Sequence, residues 1–99
     1  MIEDEDVLYK LIFTDKWEVH IKEHQKSGQK QLLSKIRSFL EQLKTTPKKG
    51  IGKPEALKGY GEREVWSRRI NEQHRLVYEI FEEKKEVKIL TAFGHYDDK

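Results

Sequence analysis

Leu32, Leu33, Ile36, Phe39, Leu40 and Leu43 recur at i, i+1, i+4, i+7, i+8 and i+11, and from Trp66 onward the apolar period falls to two. The first period is that of an α-helix with one apolar stripe, and the second is that of β-strands. A chain holding both must bury a helix face against a sheet. Trp66, Arg68 and Ile70 alternate with Ser67 and Arg69, and Leu76, Tyr78 and Ile80 alternate with Arg75, Val77, Glu79 and Phe81. Val87, Ile89, Thr91 and Phe93 alternate with Lys88, Leu90 and Ala92, apolar on both sides as a central strand is. Asn71-Glu72-Gln73 and residues 82–85 supply the turns between them.

Upstream, Val7 to Phe13 reads as a first strand. Thr14 and Asp15 then offer an N-cap, with Asp15 and Glu18 at capping-box spacing. Trp17, His20, Ile21 and His24 keep helical spacing to about Lys26, and Ser27-Gly28 breaks that helix. The second helix ends near Thr45-Thr46-Pro47, and the Gly- and Pro-rich stretch from Pro47 to Gly61 reads as a loop. The order β-α-α-β-β-β predicts an α+β fold, a two-helix hairpin packed on a twisted antiparallel β-sheet.

Ninety-nine residues suffice for one domain, with residues 1–9 as a short acidic tail and 10–99 as the folded unit. Charged residues make up 38%, yet the net charge is only +2 and aromatics reach 10%, which separates this chain from disordered ones. With no Cys there is no disulfide framework, Cys-zinc site or thiol nucleophile. No apolar run exceeds three residues, so neither a membrane span nor a secretory signal is expected, and a reducing cytoplasm is the simplest compartment.

The positive charge is concentrated. Residues 44–75 hold nine Lys or Arg against four Glu, which points to a local anion site or a solvated basic face. A turn centred on Glu72 sets Arg69 directly opposite Arg75, a destabilising pairing unless an anion or a carboxylate such as Glu72 or Glu79 lies between them. Glu55 follows Lys53-Pro54 in a loop otherwise charged only by lysines, and Lys58 comes three residues later. A carboxylate among cations stays ionised, which suits a general base. His95, after Gly94 and beside Tyr96, can exchange protons near neutral pH. His20 and His24 have the i, i+4 spacing of a metal pair but no evident third ligand, so a half-buried helix face is the better reading and no metal or cofactor is expected. A base, an acid and cations are what RNA cleavage by its own 2′-hydroxyl requires, one candidate among several on these residues alone.

The motifs Gly50-Ile-Gly-Lys-Pro-Glu-Ala-Leu-Lys58, Trp66-Ser-Arg-Arg-Ile70, His74-Arg-Leu-Val-Tyr78 and Gly94-His-Tyr96 closely resemble those of the YoeB (Txe) toxins, members of the RelE superfamily of bacterial toxin–antitoxin systems. The resemblance runs from about Lys10 to Tyr96. It implies a RelE-like fold related to small microbial ribonucleases, and endonucleolytic cleavage of mRNA in the ribosomal A site, which inhibits translation. It also implies Glu55 as general base, His95 as general acid and Tyr96 as the residue positioning the nucleotide or the histidine. Arg69 and Arg75 would hold the scissile phosphate and Lys58 would steady its charge, with Lys53 and Arg68 completing the RNA-binding set. The implied partners are the 70S ribosome with its mRNA, a YefM-like antitoxin, a second copy of the chain, and operator DNA reached only through the antitoxin complex. Three departures stand out. Asp97-Asp98-Lys99 follow the His-Tyr pair, the acidic amino-terminal tail adds residues ahead of the family pattern, and one extra residue is expected between Lys58 and Trp66.

Two other readings compete. A non-catalytic toxin of the same fold, acting on a protein target such as gyrase, would lack the Glu, Lys, Arg, His and Tyr set present here. A general nucleic-acid-binding module would have no need of the His-Tyr end, and would bind with a steep salt dependence that survives Glu55→Gln and His95→Gln.

Overall fold

The computed structural model describes residues 8–92. The chain runs β1 (Lys10–Phe13), α1 (Asp15–Lys26), α2 (Lys30–Leu43), β2 (Glu55–Ala56), β3 (Glu64–Arg69), β4 (Arg75–Phe81) and β5 (Glu86–Thr91). The five strands form one sheet in the order β1-β5-β4-β3-β2. The expected α+β fold is present, with two differences in detail. The sheet is mixed, because β1 joins the free edge of β5 in parallel while the other pairings are antiparallel. The stretch read as an unbroken loop contributes the two-residue strand β2, which pairs with β3 through Glu55 and Ala56.

Local chemistry explains where the helices start and stop. Thr14 is extended (φ −101°, ψ 165°) and its hydroxyl accepts from the Trp17 N–H at 3.2 Å, capping α1. The same hydroxyl reaches the Ile89 carbonyl at 2.9 Å, which ties the start of α1 to β5. Asp15 and Glu18 stand in the positive first turn, and Gly28 takes the left-handed conformation (φ +70°) that reverses the chain into α2.

The α2 stripe buries Leu32, Ile36, Phe39 and Leu43, with Trp17 of α1, on Leu76, Tyr78, Ile80, Val87 and Ile89 of the sheet. Among the described residues the sheet's other face is open, in that no helix covers it. It carries a small cluster of Leu57, Val65 and Val77, flanked by Tyr60 and Leu90. Glu55, Arg69 and Arg75 among the candidate functional residues lie on this face.

Phe39 is fully buried at the centre of the helix–sheet interface. Phe39→Ala is expected to destabilise the protein by about 3–5 kcal/mol, from lost transfer energy plus the cavity left behind. Urea unfolding checks this: the midpoint should fall with the slope unchanged, and a loss under about 1 kcal/mol would contradict this placement of the core.

Candidate functional site

Glu55, Ser67, Val77 and Thr91 are successive register partners across β2, β3, β4 and β5, so they make one row on the open face. The β3–β4 register also sets Arg69 directly opposite Arg75, as a turn centred on Glu72 requires. Asn71 closes that turn by accepting from the Gln73 and His74 N–H groups at 2.8 Å each.

Arg75 is the best-held member of the site. Its Nη1 donates to the Ser67 hydroxyl at 3.2 Å and lies 3.8 Å from Glu55 Oε1. The Arg75 side chain is 22% exposed and that of Glu55 66%, so the pair is loose and wet on its acidic side. Such a pair adds little stability. Glu79 does not offset the paired arginines, because Arg63 grips it through two hydrogen bonds of 2.9 and 3.0 Å. Those bonds hold the Glu79 carboxyl below the usual range, against the opposing effect of burial. Among the described residues Arg69 has no carboxylate within ion-pair distance, and its guanidinium is exposed beside Arg75.

Lys53 and Lys58 are exposed on either side of β2. Lys53 adopts φ 49°, an uncommon left-handed conformation for a side-chain-bearing residue, immediately before Pro54. The chain is turned there, so that Glu55 enters the sheet edge facing Ser67.

Arg68 does not join this group, which corrects the phosphate-binding role expected of it. It is wholly buried beneath the helix face. Its Nη2 donates to the Thr46 and Lys49 carbonyls at 2.7 Å each, and its Nη1 to Gln42 Oε1 at 2.7 Å and the Ile51 carbonyl at 3.3 Å. Its Nε donates to the Tyr78 hydroxyl at 3.1 Å, which in turn donates to the Pro47 carbonyl at 2.7 Å. Every guanidinium N–H is spent on protein, and the residue holds down the loop that leads to Glu55. Strand alternation already placed Arg68 with Trp66 and Ile70, and that apolar company was the signal available in the sequence. Ser67, which sequence reasoning passed over, was legible in the same way as a member of the Arg69 face.

His95 and Tyr96 lie outside the described residues, as do the Asp97-Asp98-Lys99 extension and residues 1–7. The last described residue, Ala92, is gripped by α1: its N–H donates to His20 Nδ1 at 3.2 Å, and its carbonyl accepts from His24 Nε2 at 3.0 Å. An N–H can only donate and a carbonyl only accept, so His20 Nδ1 is unprotonated and His24 Nε2 carries its proton. His24 is buried and meets His74 edge-on with ring centroids 4.9 Å apart. Among the described residues no group of three His, Asp or Glu side chains could hold a metal ion. No helix among them is long and apolar enough to cross a membrane.

Comparison with known proteins supports the resemblance read from the motifs. The family model for the YoeB-like toxin of bacterial type II toxin–antitoxin systems matches residues 13–96. A toxin YoeB of Synechocystis is 42% identical over 71 residues, covering 68% of this chain and 74% of that relative. Among solved structures, a YoeB/ParE toxin from Agrobacterium tumefaciens superposes with a TM-score of 0.77 at 32% identity, covering 88% of this chain and 99% of that one. A YoeB dimer from Staphylococcus aureus gives 0.75 at 32% identity, covering 89% and 98%. The heterotetrameric YoeB–YefM toxin–antitoxin complex of the same organism gives 0.71 at 33% identity, also covering 89% and 98%.

Burial and the charges of Lys16, His24 and His74 push His20 below its ordinary pKa of about 6.5, with Glu23 opposing them. Between that lowered value and 6.5 the unfolded chain binds more protons than the folded one, so stability falls as pH drops through that window. His20→Asn, whose side-chain oxygen can still accept from Ala92 but does not titrate, should flatten this slope in urea midpoints measured from about pH 7 to 5. An equal slope in both proteins would contradict the grip.

Proposed function

The chain belongs to the YoeB-like toxins of bacterial type II toxin–antitoxin systems, and from that premise we propose that it is an endoribonuclease that cleaves mRNA in the ribosomal A site and so inhibits translation. One observation carries the reading: a lone carboxylate, Glu55, stands 3.8 Å from an arginine that is itself directly opposed by a second arginine. Two cations facing one another raise the energy of the sheet, and a phosphate between them lowers it.

Glu55 takes the proton from the 2′-hydroxyl preceding the cut, and that oxygen attacks phosphorus. Charge accumulates on the non-bridging oxygens of the phosphorane, where Arg69, Arg75 and Lys58 stabilise it. Lys53 adds attraction for the RNA backbone. The bond from phosphorus to the 5′-oxygen breaks, and that oxygen receives its proton from His95, the general acid the family motif implies, with Tyr96 positioning nucleotide or acid. The products are a 2′,3′-cyclic phosphate and a free 5′-hydroxyl, and none of these steps needs a metal or cofactor. A YefM-like antitoxin neutralises the toxin in this account, operator DNA is reached only through that complex, and the homodimer of the Staphylococcus aureus protein is the precedent for self-association.

Wild-type protein on programmed ribosomes should cut within the A-site codon and leave those two ends. Glu55→Gln and His95→Gln should each lower the single-turnover rate about 10²–10⁴-fold with ribosome binding unchanged, as loss of a general base or acid does. Arg75→Ala should lower it by a similar order, through lost charge stabilisation. Ribosome binding without any cut by wild type would overturn the reading, and failure of both would favour a protein target.

A further inference from the structure

Beyond Arg75 the open face runs into a cavity of about 410 Å³ that none of the proposed catalytic groups lines. Val77 and Leu90 give it an apolar floor, Tyr60 an aromatic wall, Lys16 and Lys88 two cations, and Thr91 a hydroxyl. Val77 lies two residues from Arg75 on β4 and on the same face, so the floor begins about 7 Å along the strand from the paired arginines. That is within the reach of a base from its own phosphate. The β4–β5 register slips at Val77/Tyr78, with Thr91 opposite Val77 and Ile89 opposite Tyr78. Leu90 is therefore the extra residue, and this bulge brings Leu90 and Thr91 to the same cavity.

Tyr60 is held in place before any ligand arrives. The Arg63 guanidinium lies 5.4 Å from its ring centroid and is itself locked on Glu79. A ring fixed in this way has little rotamer freedom left to lose on binding. Charge separates this cavity from two others of comparable or larger size. One of those is lined by Glu62, Glu64, Glu79, Glu82 and Glu83 and the other by Glu23 and Glu72, which disfavour an anionic chain.

We propose that the Tyr60 cavity is a nucleobase subsite, which takes the base adjoining the scissile phosphate against Val77, Leu90 and the Tyr60 ring while Lys16 and Lys88 face the RNA backbone. An aromatic surface with flanking cations is how unpaired RNA is held. The place of this subsite in the reaction rests on the nuclease reading, which it deepens.

The test follows the methyl resonances of Val77 and Leu90 and the ring resonances of Tyr60 in the whole chain, with adenosine monophosphate added in one series and ribose 5-phosphate in another. Saturable shifts are expected with the base-bearing ligand and not with ribose 5-phosphate. Tyr60→Ala should weaken nucleotide binding about tenfold, Tyr60→Phe should retain it within about twofold, and Lys88→Glu should weaken it in a salt-dependent way. Equal shifts with both ligands, or binding indifferent to Tyr60→Ala and Lys88→Glu, would overturn the subsite. RNA cleavage separates the two claims. An active wild type whose KM is unchanged by Tyr60→Ala sinks the subsite and spares the nuclease. An inactive wild type whose cavity still answers the nucleotide alone, with the Tyr60→Ala loss, sinks the nuclease and upholds the base site.

Discussion

The buried guanidinium of Arg68 is the interaction on which the site depends. The segment from Thr46 to Gly52 is rich in Gly and Lys and cannot close a core of its own, so its carbonyls need donors once they turn inward. Arg68 supplies them to residues 46, 49 and 51, and Gln42 adds a second tie by accepting from the Ile51 N–H at 3.1 Å. The partners are dipoles rather than a carboxylate, and the Phe39 and Tyr78 rings, each 5.9 Å from the guanidinium, complete the enclosure. Removing such a cation leaves several buried carbonyls unsatisfied at once, which makes the loop collapse or open rather than soften.

From that fastening the site follows by strand geometry. The next residue, Arg69, must point to the opposite face, and its backbone N–H donates to the Gly52 carbonyl at 2.7 Å, passing the loop's position on to β3. Gly52 has φ +83°, and a Cβ there would meet the Phe39 ring at 2.6 Å, so only glycine allows the loop to lie this close. Lys53 and Pro54 then deliver Glu55 to the edge of the sheet, in register with Ser67. Arg68 and Arg69 thus divide one dipeptide between holding the scaffold and facing solvent.

Much of this was legible beforehand, and the gaps have physical causes. The α2 stripe, the Thr14 cap and the hairpin at Glu72 are local patterns, and the Arg69–Arg75 opposition follows from the hairpin by counting. The parallel pairing of β1 with β5 joins residues some 76 apart, from Lys10 to Glu86, and leaves no local trace. Strand β2 is two residues long inside a stretch dominated by Gly and Pro, so periodicity has nothing to act on. Arg68 went astray because residue type was weighed above the face it occupies. His20 and His24 share one helix face as their spacing indicated, but their hold on both ends of the Ala92 peptide depends on β5 passing alongside α1.

The account stands or falls on the nucleophile. An mRNA carrying a single 2′-deoxy nucleotide immediately 5′ of the cut, presented in the A site beside its all-ribose counterpart, addresses this directly. The account predicts that the substituted message binds equally, that cleavage at that bond disappears, and that no cyclic phosphate forms there. Cleavage of the deoxy-substituted bond at an undiminished rate would show that water attacks phosphorus, and would contradict the roles given to Glu55 and the paired arginines.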